Sequence, residues 1–153
     1  MKQKSTLKAK TPLKAKVSLK ANPKPKKRKG STVAKLKKKA DAVHSQVVRQ
    51  SEADKDGMVK CFTCPNIKHY KQMQCGHFMS RQHNSTRYDF KNTAPQCYGC
   101  NVMHQGKQYE FGYMLNQKYG DDTAAAMYAK SKIPHQFTTA ELEAIIADRE
   151  ARL

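Results

Sequence analysis

Acidic residues are missing from the first quarter of this chain. Residues 1–39 hold sixteen Lys or Arg and no Asp or Glu, whereas the other 114 residues carry fourteen basic and twelve acidic side chains. Sixteen of the eighteen net positive charges therefore lie in that quarter. Apolar groups are also sparse there, too few to offset the entropy of ordering, which predicts a disordered segment over 1–32. No apolar run is long enough to span a bilayer, and the basic segment has no amphipathic face to lay on one. No apolar stretch follows the first charges, which argues against a secretory signal. An even set of spaced cysteines is missing too. The five present (Cys61, Cys64, Cys75, Cys97 and Cys100) are odd in number and closely paired. With no export signal, this points away from a disulfide framework and toward thiolate metal ligation in a reducing compartment.

The basic segment is repetitive. Leu7-Lys8-Ala9-Lys10, Leu13-Lys14-Ala15-Lys16 and Leu19-Lys20-Ala21-Asn22 recur every six residues, and Pro12, Pro23 and Pro25 break any long helix. A period this short is low complexity, not a solenoid. Either the segment only solubilises the chain, or it binds a polyanion through phosphate contacts that release counterions. Lys26, Lys27, Arg28 and Lys29 form its densest charge and are the candidate DNA-binding residues.

After Gly30 the pattern becomes helical over 33–57, with Val43, Val47 and Val48 on one side and Gly57 as the stop. Met58-Val59 and Phe62 suggest a short strand into Cys61xxCys64. Cys75 to Phe78 suggests another, His83 to Asp89 a polar loop, and Asn92 to Gln96 carries Pro95 into Cys97xxCys100. Residues 107–119 place Tyr109, Phe111, Met114, Leu115 and Tyr119 broadly at helical spacing, a stripe more typical of a core or dimer contact than of a cofactor site. Gly120 is the C-cap and Asp121-Asp122 opens a further helix. Thr138 with Glu141 forms a capping box for a last helix lined by Leu142, Ile145, Ile146 and Arg149.

Cys61xxCys64 and Cys97xxCys100 are the strongest chemical signal. Two tight thiolate pairs suit a tetrahedral Zn²⁺ with Zn–S near ~2.3 Å. The interval between the pairs exceeds the usual ribbon spacing, so something is folded between them. Cys75 is left over and reads as a small buried residue. His77 lies inside the insert. Four cysteines already saturate a zinc ion, which frees His77 to act as a general base. Asn92 and Asp89 precede the second pair. Asn101 and His104, spaced i, i+3, are expected on one helix face.

These residues carry a resemblance. Cys61xxCys64, Gly76-His77, Asp89xxAsn92 and Cys97xxCys100-Asn101 resemble the zinc-stapled HNH nucleases with the ββα-metal fold, typified by phage endonuclease VII. Gly76-His77-Phe78, Gln96-Cys97xxCys100-Asn101, Gly106, Tyr109 and Tyr119-Gly120, with the lysine-rich segment, are similar to the NinG (Rap) phage recombination proteins. The resemblance implies that His77 activates water for attack on a phosphodiester and that Asn92 braces the loop orienting it. It implies that Asn101 and His104 hold a catalytic Mg²⁺ or Mn²⁺, while zinc stays structural. Most HNH nucleases carry Asp just before the histidine as a metal ligand. Here Gly76 stands in that place, which leaves the cation short of a hard ligand, with Asp89 and Glu110 as candidates. Arg81 and Arg87 are candidate phosphate contacts.

The expected fold class is α+β: a zinc-stapled ββα-metal core over 58–106, a helix over 33–57, C-terminal helices over 107–153 and a disordered basic tail over 1–32. The expected function is a metal-dependent, structure-selective endonuclease for branched recombination intermediates such as Holliday junctions, in the cytoplasm of a bacterial host. Two cuts require two sites, so a homodimer is expected, with the helices at 33–56 and 138–152 as candidate contacts. The rival is a non-catalytic, zinc-containing DNA-binding or architectural recombination protein, for which Gly76 is the best argument. An RNA-binding zinc module would need clustered exposed aromatics.

Overall fold

The computed structural model describes residues 32–153. Residues 1–31 of the expected disordered tail, with Lys26, Lys27, Arg28 and Lys29, lie outside them, and its last residue, Thr32, opens α1. Eight main elements follow in order: α1 (Thr32–Gln50), β1 (Met58–Lys60), β2 (Ile67–His69), β3 (Gln74–His77), β4 (Thr93–Gln96), α2 (Gln108–Tyr119), α3 (Thr123–Ser131) and α4 (Thr139–Glu150). The fold is mixed, with small sheets set among helices.

α1 ends at Gln50, earlier than the sequence suggests. The Asp54 carboxylate takes the Asp56 and Met58 amides at 3.0 and 2.8 Å, and Gly57 follows at φ +76°. This turn launches β1, which pairs antiparallel with β2. A second antiparallel pair, β3 with β4, runs Gln74↔Gln96, Cys75↔Pro95, Gly76↔Ala94 and His77↔Thr93. β4 is a strand despite Pro95. The ring costs one donor, but the Pro95 carbonyl still accepts the Phe62 amide at 2.8 Å, tying the hairpin to the first cysteine turn.

Three apolar clusters hold these pieces. Val59, Cys61, Met73, Cys97 and Cys100 form one around the thiols. Ala94, Phe111 and Leu115, with Phe62 and Phe78, seat α2 on the hairpin. Ala40, Tyr88, Leu142 and Ile146, joined by Val33, Leu36, Val43 and Ile145, bind α4 to α1. The stripes of α1 and α4, candidate contacts for a second copy, are thus buried against each other within one chain. The aromatic stripe expected on α2 is also split: Phe111 and Leu115 are buried, but Tyr109 is 85% exposed.

The α4 capping box forms as its residues dictate, with Thr138 Oγ1 accepting the Glu141 amide and Glu141 accepting the Thr138 amide. At α3 the expected aspartate cap is replaced. Asp122 is left-handed and caps nothing with its side chain, and Asn116 Oδ1 takes the Ala124 amide at 2.9 Å instead. No helix among the described residues is long and apolar enough to cross a membrane.

Candidate metal centre and adjoining cleft

Cys61, Cys64, Cys97 and Cys100 converge so that their sulfurs all lie within 4.8 Å of one another. Cys64 Sγ and Cys97 Sγ are 3.7 Å apart. That edge matches a tetrahedron of sulfurs ~2.3 Å from a central zinc. The Cys97 amide donates to Cys61 Sγ at 3.3 Å, which ties the two cysteine turns together. The donor set is all soft, so it fits Zn²⁺ and not a hard cation. No fifth ligand approaches: His77 is not among the metal-ligand groups of the described residues.

Beside this centre a cleft of about 560 Å³ opens between α1, β3 and the segment after Cys100. His77 and Asn101 both line it, with Gln74, Cys75, Asp41, Arg49 and Arg81. The site thus gathers side chains from three distant stretches of sequence.

His77 ends β3. Its Nε2 lies 3.2 Å from the Arg87 carbonyl, which can only accept, so that nitrogen carries the proton and Nδ1 keeps the lone pair. Burial lowers the His77 pKa, aided by the nearby Arg81 charge and opposed by the Arg87 carbonyl. The ring is therefore neutral at physiological pH, as a proton acceptor must be.

The carbonyl that holds His77 belongs to a loop that Asn92 braces. Asn92 is fully buried. Its Oδ1 accepts the Met79 amide at 2.7 Å, and its Nδ2 donates to the carbonyls of Met79 and Thr86 at 2.9 and 3.0 Å. It does not line the cleft but joins the end of β3 to the loop behind it. Arg87 does related work. Its guanidinium grips the Asp41 carboxylate through Nε and Nη2 at 2.9 and 2.6 Å and also donates to the Arg81 carbonyl. Its donors are committed within the protein, so Arg87 is a strut to α1 rather than the phosphate contact expected of it. Arg81 does face the cleft.

The expected pairing of Asn101 with His104 fails for a geometric reason. Gly99–Met103 is a π-helical turn, with the His104 amide bonded to the Gly99 carbonyl at 2.9 Å. The wider turn carries the residue three positions on away from the face of Asn101. His104 opens instead onto a separate surface with Lys107 and Glu110. Neither reserve ligand reaches the cleft. Asp89 pairs with Lys130 at 2.6 Å and caps the Lys91 amide. Glu110 pairs with Lys107 at 3.3 Å. Cys75 lines the cleft as a half-buried thiol, raised to about 12 by burial, and so is protonated and no hard-metal ligand.

The sequence did not point to Asp41 or Gln74, and it marked Gln96 only as part of the family motif, with no role. Asp41 adjoins the buried Ala40 of α1, a weak sign that it faces inward. Gln74 accepts from Asn101 Nδ2 at 2.6 Å. Gln96 packs over Gly76, where an added Cβ would lie 2.1 Å from Gln96 Oε1. Gly76 is thus required by the neighbouring strand.

No curated protein and no solved structure matches the chain. A family model described as "Bacteriophage Lambda NinG protein" matches residues 1–153. The chain belongs to the NinG family of phage proteins, a family associated with recombination.

Proposed function

We propose that this protein is a metal-dependent endonuclease of HNH type that cuts branched DNA recombination intermediates. The observation that carries the proposal is the neutral His77, held by the Arg87 carbonyl and facing the same cleft as Asn101. The run of β3, a braced loop, β4 and a turn bearing Asn101 is the arrangement expected of a ββα-metal core. The thiolate centre is structural: it clamps the turn after β1 to the turn after β4, and so fixes Asn101 relative to β3.

In this mechanism His77 Nδ1 takes a proton from water as the water oxygen attacks phosphorus, and the bond to the 3′ oxygen breaks. Asn92 keeps the loop carbonyl on Nε2, which fixes the tautomer. Asn101 would hold one Mg²⁺ or Mn²⁺, which when bound stabilises the developing phosphorane charge and the leaving oxygen. Arg49 and Arg81 make the cleft attractive to phosphate, since the Asp41 charge is answered by Arg87. Paired cuts need two sites. A second copy would dock on faces other than the stripes of α1 and α4.

The test is cleavage of four-way, flapped and linear duplex DNA with Mg²⁺ or Mn²⁺ added or withheld. Metal-dependent products on a branched substrate are expected. His77→Ala should lower their rate about 10²–10⁴-fold, with zinc content and DNA binding unchanged. Binding without products on any substrate would make the protein an architectural factor, and an unchanged rate in His77→Ala would remove the general base.

A further inference from the structure

The cleft proposed to take a cation offers it no free carboxylate. Asp41 is spent on Arg87, Asp89 on Lys130 and Glu110 on Lys107. Yet one hard oxygen on the neighbouring strand has no partner. Among the described residues, Gln96 Oε1 is the buried side-chain polar atom with no hydrogen bond. Its orientation is set by chemistry. Gln96 Nε2 donates at 2.9 Å to the Gly106 carbonyl, which can only accept, and at 2.9 Å to Thr63 Oγ1. Exchanging the amide atoms would set two oxygens against each other, so Oε1 must face the other way.

What it faces is Gly76. A Cβ built there would lie 2.1 Å from Oε1, 2.6 Å from Cδ and 2.8 Å from Cγ of Gln96. The carboxamide therefore fills the space where a side chain of residue 76 would begin. Gln96 is fully buried and does not itself line the cleft, but it pairs across the hairpin with Gln74, which does, and residues 74 and 76 share its strand face. Gln74 in turn takes the Asn101 amide hydrogen and leaves Asn101 Oδ1 without a partner among the described residues. Gln74 thus links Asn101 to the strand face that carries Gln96.

We propose that Gln96 Oε1 and Asn101 Oδ1 together serve a divalent cation, Mg²⁺ or Mn²⁺, with Gln96 reaching from β4 to do what a carboxylate at position 76 would otherwise do. The inference rests on the nuclease reading of this cleft. Amide oxygens are hard ligands of the kind these ions take, and the ion keeps several waters when few protein ligands are offered. Two neutral ligands predict weak binding that a carboxylate should strengthen.

The test is Mn²⁺ binding to the zinc-loaded full chain without DNA, read from the loss of the free-ion paramagnetic resonance signal. Wild type should bind one ion in the millimolar range. Gln96→Ala should weaken binding at least tenfold. Gly76→Asp with Gln96→Ala, in which the aspartate gains the vacated space, should restore it. Gln96→Glu should tighten it at least tenfold and make the melting temperature rise with Mn²⁺. If Gln96→Ala does not fold, the other two variants decide. Wild-type affinity in both Gln96→Glu and the double variant, or no saturable binding by wild type, overturns the proposal. Binding that depends on Gln96 without DNA cleavage would sink the nuclease reading and leave the cation site standing. Metal-dependent cleavage with affinity indifferent to residue 96 would do the reverse.

Discussion

Asn92 shows how one side chain can set a site it never touches. Its carboxamide satisfies one amide hydrogen and two carbonyls, all on the loop and strand end that hold His77. Asn92→Ala should destabilise the protein by about 2–4 kcal/mol, because it leaves buried polar groups unpaired. Asn92→Asp should be at least as damaging, since a carboxylate cannot donate to the Met79 and Thr86 carbonyls. Urea unfolding of the two variants checks the order. A milder Asn92→Asp would mean that the donor half of the amide is unimportant. Asn92 was legible in the sequence by its offset from Cys97, as His77 was by its place between the cysteine pairs. Gln96 was not. Its significance lies in an oxygen left over after two hydrogen bonds and in the space above a glycine, neither of which a linear pattern records.

The same boundary appears among the elements. α2, α3 and α4 were readable because their signals are local: Gly120 as a stop, Thr138 with Glu141 as a start, and apolar spacing between. β4 was hidden because Pro95 reads as a breaker, although its carbonyl and its buried neighbours suit a strand. The π-helical turn at Gly99–Met103 was hidden because ordinary helical spacing was assumed through Asn101 and His104. The partner of α4 was also illegible, since an apolar stripe does not say what it meets. In the fold it meets α1, and Arg149 reaches past it to donate to His44 Nδ1 at 3.1 Å and to the Tyr88 carbonyl at 3.0 Å. His44 in turn touches Thr93 Oγ1 at 3.2 Å, so α4 supports the hairpin from behind. Leu142 is fully buried at this contact. Leu142→Ala should cost about 2–5 kcal/mol and Thr138→Ala about 1 kcal/mol, the first by leaving a cavity and the second by losing a cap. Thermal melts rank the two. Equal effects would show that α4 is held by its start rather than by its stripe.

Across the whole molecule, charge and chemistry are kept apart. The first 31 residues carry twelve Lys or Arg and no acid, leaving a net charge of only +6 for the part that contains the cleft. Under the proposed function the tail would supply sequence-independent affinity for DNA and the cleft the choice of DNA structure. The two contributions differ in how they respond to salt. Each phosphate neutralised adds about 0.9 to the slope of log affinity against log salt. If the tail makes about six such contacts, deleting residues 1–31 should flatten that slope by about 5 and weaken binding to branched and linear DNA alike. The cleavage rate at saturating DNA should hold, because His77, Asn92, Asn101 and the four thiolates all lie beyond the deletion. Binding titrations between about 50 and 200 mM salt measure the slope. An unchanged slope would move the phosphate contacts to the folded part, where Arg49 and Arg81 are the cations facing the cleft. A deletion that spared linear DNA but abolished the preference for branches would assign structure selection to the tail as well.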